Sequence, residues 1–524
     1  METATTQMNR REKLYFVFLC VILLGIAAHG YCYFNLLYSH DSLHIVRNSA
    51  EMSTQLALGR FGIPLYFHLR GGIASSSLLG VLALLYLTGT SYLVVTLLQI
   101  NSKTAIALTC GILVTNEAFT FLNASYVGVC DVYMLSLLLC VSAVYLTERC
   151  RYGFLFAPVC LCLSLGMYQS YFQAAVFLAM LLVIQKALHK QSVKAIFLTG
   201  LKHLGVLLAG LLLYSLVLKL LLQSTTTELM NTYNGLSEVG HFGTPDKILQ
   251  LMADTFLYPF QYYLAPPLCN SAAIAACNCA LFVILLLTLG ALLYQQKLSW
   301  TALALLLPVC FLLPFGMNVV YFISHGLAHA LMVFSFFLAY IFVLSLLEQK
   351  QQTQALWNTK SRKFWQVIRL AAFLCLTIII ANNISFSNQL YLKKNLEFQN
   401  TLSTMTRIID RIEQTDGYEV NETPVVFVGT LMDSPLSMAR VGFEEITGTG
   451  ATQNFSTTYY RSYQWYLETV LAYPVNLLPV ENVAAYNQNS KVQQMPAFPH
   501  KKSCQIIDGV LVVKLSDASA LAGL

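Results

Sequence analysis

The chain is short of charge. Only 11% of its 524 residues are Asp, Glu, Lys or Arg, against 56% hydrophobic, where a soluble domain carries roughly 25% charged residues. So few polar groups cannot cover a soluble surface of this length, which excludes a purely soluble enzyme. Intrinsic disorder is excluded too, because it requires low hydrophobicity and high charge. The sequence also lacks a Gly-rich phosphate loop, a nucleophile elbow and a paired-cysteine metal motif. No basic stripe points to nucleic acid as a partner. No disulfide framework is visible. The 14 cysteines lie almost entirely in apolar runs, where they read as small buried hydrophobes. Cys277 and Cys279 lack the spacing and partners of a zinc site. There is no internal repeat and no low-complexity tract.

What is present is apolar length. Eleven stretches suit membrane-spanning helices, at about 14–34, 73–98, 104–122, 131–147, 153–168, 170–187, 203–223, 271–294, 299–316, 326–347 and 365–385. The first follows Arg10, Arg11 and Lys13 like a signal peptide. It has no small-residue cleavage site before Tyr31-Cys-Tyr-Phe34, so it reads as a retained span.

The few charges orient these spans. One alternating set of loops holds sixteen basic and four acidic residues. The other set, up to residue 385, holds five basic and eight acidic. The positive-inside rule makes the first set cytoplasmic. The N-terminus is then inside and everything after residue 385 outside. Residues 386–524 carry ten basic and thirteen acidic residues. They contain two candidate strands, Pro424–Gly429 and Gly509–Lys514, and an aromatic-rich helix over Tyr459–Leu471. The expected architecture is a polytopic α-helical membrane protein (1–385) with an extracytoplasmic C-terminal α/β domain (386–524), set in the cell membrane. Segment 51–69 reads as a helix along the outer surface, and 186–202 as a similar inner one.

Ionisable groups in so apolar a chain need an explanation. Asp41, Glu51, Glu117 and Asp131 all fall at the expected outer ends of the first four spans, so chemistry that uses a carboxylate belongs there. Asp41 reads as a general base for an acceptor hydroxyl. Equally, it reads as a solvated loop acid or a helix cap before Ser42-Leu-His44-Ile. Asp131 reads either as a ligand for a metal or sugar hydroxyl or as an N-cap. Glu117, after Asn116, is expected to face a cavity. Arg60 and Arg70 lie at the depth of a lipid phosphate, which Arg recognises well; ordinary headgroup binding is the plainer reading. Lys219 either snorkels or reaches the same phosphate. His325 and His329 would share a helix face, with hydrogen bonding favoured over zinc. Tyr168, Gln169 and Tyr171 form a polar knot suited to sugar stacking or to interfacial anchoring. His44, Tyr168, Gln169 and His325 are the candidates for sugar or acceptor contact.

Two segments, Asn35-Leu-Leu-Tyr-Ser-His-Asp-Ser42 and Leu58-Gly-Arg-Phe-Gly-Ile-Pro64, are similar to the first outer loop of the O-antigen-modifying glucosyltransferase II family. Asp131-Val-Tyr133, Leu165-Gly-Met-Tyr-Gln-Ser170 and the closing Gly509–Lys514 continue the resemblance. Phe61 stands where family members often have Trp. The resemblance implies a GT-C type membrane enzyme with a polyprenyl-phosphate sugar donor and a cell-envelope glycan or teichoic-type acceptor. It also implies an essential acid at Asp41, support for Asp131, Arg60 on the donor phosphate, and inversion at the anomeric carbon. A divalent cation is left open. The rival reading is a lipid-linked sugar flippase or transporter, which should show repeat symmetry or broken helices at mid-membrane. A third, a non-enzymatic envelope scaffold, leaves the outer carboxylates without a role.

Overall fold

The computed structural model describes residues 8–35, 37–39, 43, 52–72, 74–230, 244–265, 272–327, 329–352, 359–431, 460 and 462–517. Asp41, His44 and Glu51 lie outside these residues.

The first half is helical: α1 (Arg10–Phe34), α2 (Met52–Ala57), α3 (Gly62–Arg70), α4 (Ser76–Leu97), α5 (Lys103–Thr115), α6 (Glu117–Tyr126), α7 (Cys130–Arg149), α8 (Gly153–Met167), α9 (Phe172–Leu188) and α10 (Val193–Thr225). It continues with α11 (Pro245–Leu264), α12 (Ala272–Gln296), α13 (Trp300–Met317), the short α14 (Val319–Ile323), a 3₁₀ stretch Ala330–Phe336, α15 (Phe337–Gln352) and the 55-residue α16 (Thr359–Glu413). Local sequence sets many of the starts. Asn9 and Glu12 form a reciprocal capping box. Ser75, Ser102, Asn116, Ser192 and Ser299 each accept a backbone N–H three residues on. Such caps satisfy amides that a helix leaves unpaired at its N-terminus.

Among the described residues, nine stretches are long and apolar enough to cross a membrane. One of them, Lys103–Arg149, covers the expected third and fourth spans; it breaks at Asn116 and passes through a 3₁₀ turn at Val127–Val129. The expected fifth span is the 15-residue α8, shorter than the rest. On α10, Leu204, Leu208, Leu212, Leu216 and Leu220 are all more than half exposed. An outward leucine ridge at four-residue spacing suits lipid and not water.

Several expectations change. Segment 51–69 is two short helices, α2 and α3, and both pack into the bundle against α10 and α8. No separate inner helix covers 186–202; α9 ends at Leu188 and α10 begins at Val193. The tenth stretch opens as a 3₁₀ turn. Residue 385 lies inside α16, with no break there.

Beyond α16, β1 (Val425–Val428) precedes three short helices, α17 (Ser462–Val470), α18 (Val480–Gln488) and α19 (Ser490–Gln494), and then β2 (Cys504–Ile507) and β3 (Val510–Lys514). The sheet order is β1-β3-β2; β1 and β3 are parallel, with Val425 opposite Leu511. All four residues of β1 are buried, as expected for a short continuous apolar strand covered on both faces. Both expected strands and the aromatic helix are present, while β2 was not anticipated. The buried hydrophobics form one large cluster in the bundle, a second around the sheet and a small third of Leu56, Phe61 and Cys162 against α10. Phe398, Met405, Ile408 and Ile412 of α16 belong to the second.

Candidate active site

The candidate residues gather where α3 straps across the N-terminal turn of α7. Asp131 is the second residue of α7 and fully buried. It is therefore not the N-cap; Val129 occupies that position. Arg70, at the far end of α3, brings Nη1 to 2.8 Å from both carboxylate oxygens. The Tyr66 hydroxyl donates to Oδ2 at 2.9 Å. Because that proton is committed, the Tyr86 hydroxyl, 3.1 Å away, is the donor to Tyr66. Burial raises the Tyr66 phenol above its ordinary value, so it stays protonated and donating. Arg70 spends its other donors on the Gly71 and Gly72 carbonyls and lies over the Phe67 ring, 4.2 Å from its centroid. Arg70 and Asp131 thus satisfy one another, and the positive end of α7 favours the Asp131 carboxylate. The pair is a brace that fixes α3, in which the Arg70 guanidinium is engaged by Asp131.

Arg60, at the other end of α3, is held differently. Its Nη1 donates to the Tyr133 hydroxyl at 3.2 Å, and its guanidinium lies 5.6 Å from the Tyr168 ring centre. Tyr133 and Tyr168 stack at 4.2 Å. The backbone before Arg60 is clamped. Gln169 Nε2 donates to the Leu58 carbonyl at 2.9 Å, and the Tyr214 hydroxyl to the Gly59 carbonyl at 3.1 Å. Gln169 also reaches Tyr214 at 3.2 Å. The expected polar knot at 168–171 therefore positions the Gly-Arg turn, with Tyr168 beside the guanidinium.

Gly59 is required at that turn. Its φ is +71°, and an added Cβ would sit 2.6 Å from the Tyr214 hydroxyl and 3.0 Å from Gln169 Nε2. Left-handed backbone alone costs a non-glycine residue roughly 1–2 kcal/mol. Gly59→Ala is expected to lower the thermal melting midpoint, because the new Cβ crowds Tyr214 and Gln169 and displaces Arg60. A variant with wild-type melting would show that the clamp does not matter.

Glu117 opens α6 and is buried, accepting from the Tyr262 hydroxyl at 3.1 Å. It faces the protein interior, next to α11 and not lipid. Lys219 is exposed on the leucine-lined flank of α10. His325 and His329 do not share a helix face. His325 sits in a turn at φ +55° beside Gly326, and His329 caps the 3₁₀ stretch while its ring packs against Phe121. Among the described residues, no three His, Cys, Asp or Glu side chains converge as a metal site. Sequence reasoning missed Tyr66, Tyr86 and Tyr214, and met Tyr133 only within the matching segment Asp131-Val-Tyr133. A hint existed in the four-residue spacing of Tyr66 to Arg70 and the two-residue spacing of Asp131 to Tyr133.

The family sequence model described as Glucosyl transferase GtrII matches residues 30–346, more than half of the chain and all of the α3–α7–α8 site. No curated protein and no solved structure matches the chain.

Proposed function

The chain belongs to the Glucosyl transferase GtrII family, and from that premise we propose that it moves a hexose, glucose in the first instance, from a polyprenyl-phosphate donor to a cell-envelope glycan or teichoic-type acceptor on the outer membrane face. Membership makes glycosyl transfer its activity and long apolar helices give it a membrane setting. The observation that carries the finer reading is Arg60. It is a guanidinium presented by a clamped turn, beside a stacked tyrosine pair, at the head of an apolar bundle. Guanidinium suits a phosphate and tyrosine faces suit a sugar ring. An apolar bundle suits the polyprenyl tail.

In this reading Asp41 takes the proton of the acceptor hydroxyl as its oxygen attacks the anomeric carbon. The phosphate leaves with the bonding electron pair, stabilised by Arg60. The stereochemical outcome is inversion, as for other GT-C type enzymes. Glu117, enclosed with Tyr262, shapes the acceptor side, and Lys219 is placed to meet lipid headgroups. The C-terminal region, set outside by the loop charges, helps hold the acceptor.

The test uses purified full-length protein in nanodiscs with polyprenyl-phosphate glucose or a nucleotide-activated glucose, plus envelope glycan. Release of polyprenyl phosphate with label in the glycan is expected from the lipid donor only. Turnover of the nucleotide sugar alone would overturn the donor assignment. Movement of the lipid donor across liposomes without transfer would favour a flippase.

A further inference from the structure

The expected spans leave residues 224–270 as a loop, yet this stretch holds α11 (Pro245–Leu264), a helix of 20 residues that is not among the membrane-crossing ones. Its side chains sort into three stripes, each following the helical period. Thr255, Pro259 and Tyr262 are buried against the bundle. Lys247, Gln250, Asp254 and Gln261 are exposed and polar. The third stripe is apolar: Leu249, Met252 and Leu264 are exposed, and Phe256 and Phe260 between them are half-buried. A surface helix in water needs only two faces, an apolar one toward the core and a polar one outward. An outward apolar stripe beside both of these calls for a second apolar medium.

The backbone of α11 is tied to the end of the bundle where α12 begins and α13 ends. Pro259 has no N–H, so the Thr255 carbonyl loses its helical donor. Asn318, just after α13, supplies the missing bond from Nδ2 at 3.0 Å. Asn278, near the start of α12, donates from Nδ2 to the Tyr263 carbonyl at 2.7 Å. From this level the apolar stripe reaches deeper. The Phe260 ring meets that of Phe282, one turn past Asn278 along α12, with centroids 6.1 Å apart. The Phe256 ring meets that of Phe311, about two turns back from Asn318 along α13, with centroids 5.2 Å apart. Phe282 and Phe311 are themselves exposed, on the flanks of two membrane-crossing helices. The apolar stripe of α11 is therefore continuous with a surface that lipid covers.

We propose that α11 lies in the bilayer interface at this end of the bundle, with Leu249, Phe256 and Phe260 among the acyl chains of the adjoining leaflet. Lys247, Gln250 and Asp254 then sit level with headgroups and water, as on other interfacial helices. The occupant of the apolar stripe is bilayer lipid, because the stripe runs on into the lipid-facing flanks of α12 and α13 and a polar stripe borders it along its length. The inference uses the membrane setting alone and does not depend on which sugar is transferred. It gives the helix a task. Its buried stripe carries the Tyr262 hydroxyl that donates to Glu117, so the leaflet holds the partner of that buried acid at a fixed depth.

The experiment uses the full-length chain in nanodiscs of palmitoyl-oleoyl phosphatidylglycerol. A photoreactive benzoyl-phenylalanine is placed, one position at a time, at Leu249, Met252, Gln250 or Asp254, all of them exposed. After irradiation, mass spectrometry of the α11 peptide is expected to find a lipid adduct from Leu249 and Met252, and to find it lost from Gln250 and Asp254. Should the label at Met252 prevent elution as a single species, Leu264 on the same stripe takes its place. Lipid adducts in equal yield from all four positions, or from none, overturn the inference. A chain-to-chain crosslink from Leu249 or Met252 in place of the lipid adduct also overturns it, and makes this face a contact between two copies.

Discussion

Arg70→Met is expected to be the most destabilising single substitution at the α3 strap. Methionine keeps much of the side-chain length over Phe67 but leaves the Asp131 carboxylate buried without its guanidinium, with the Tyr66 hydroxyl still donating to it. Removing one member of a buried ion pair costs about 3–5 kcal/mol. The converse change, Asp131→Asn, strands the guanidinium but leaves it two backbone carbonyls, so a smaller loss is expected. Arg70→Met combined with Asp131→Leu should regain most of the stability, because no charge is then left without its partner. The check is the thermal midpoint of the detergent-purified protein for all four forms. A destabilisation of Arg70→Met that adds to that of Asp131→Leu, with no recovery in the double variant, would show that the pair does not act as a brace. Because the brace fixes the strap that carries Arg60, the double variant should also retain measurable glucosyl transfer.

The second large effect is on turnover. Asp41→Asn preserves size and hydrogen bonding but removes the basic carboxylate, and kcat is expected to fall by roughly 10²–10⁴. The sequence supplies the acid, between His40 and Ser42. On either side of it, Ser39 is tied to α6 and the Ser39 carbonyl accepts the Leu43 amide at 3.0 Å. Donor KM should stay near the wild-type value, because the phosphate contacts are assigned elsewhere. Single-turnover transfer from polyprenyl-phosphate glucose separates the two constants. Wild-type kcat in Asp41→Asn removes it as the base.

The helices are legible in the sequence because twenty-residue apolar runs admit few other structures, and Ser and Asn caps mark their starts. The outward leucine ridge of α10 follows from the same runs. The pairing of Arg70 with Asp131 is not legible. The two are 61 residues apart, and nothing local signals which distant partner a buried Arg will meet. The sequence suggested a cap or ligand at Asp131 and a phosphate or headgroup contact at Arg70, each taken singly, where the fold makes one pair. The helical register drawn for His325 and His329 fails because Gly326 lets the chain turn into left-handed backbone there. The end of the last span was drawn at 385 because polar residues begin there, but Ser387, Lys394 and Glu397 turn inward and α16 continues. Polarity marks the end of a span only when it faces water.

That continuity has a geometric consequence. A helix of 55 residues is about 80 Å long at 1.5 Å per residue, well over twice the hydrocarbon thickness of a bilayer. The same rod serves both cores, so their relative rotation is fixed by residue count between Tyr391 and Phe398. One residue inserted there would turn the sheet core by about 100° and shift it by about 1.5 Å relative to the bundle. The segment is a protractor as well as a spacer: its length can drift in evolution only by steps that bring the two cores back into phase.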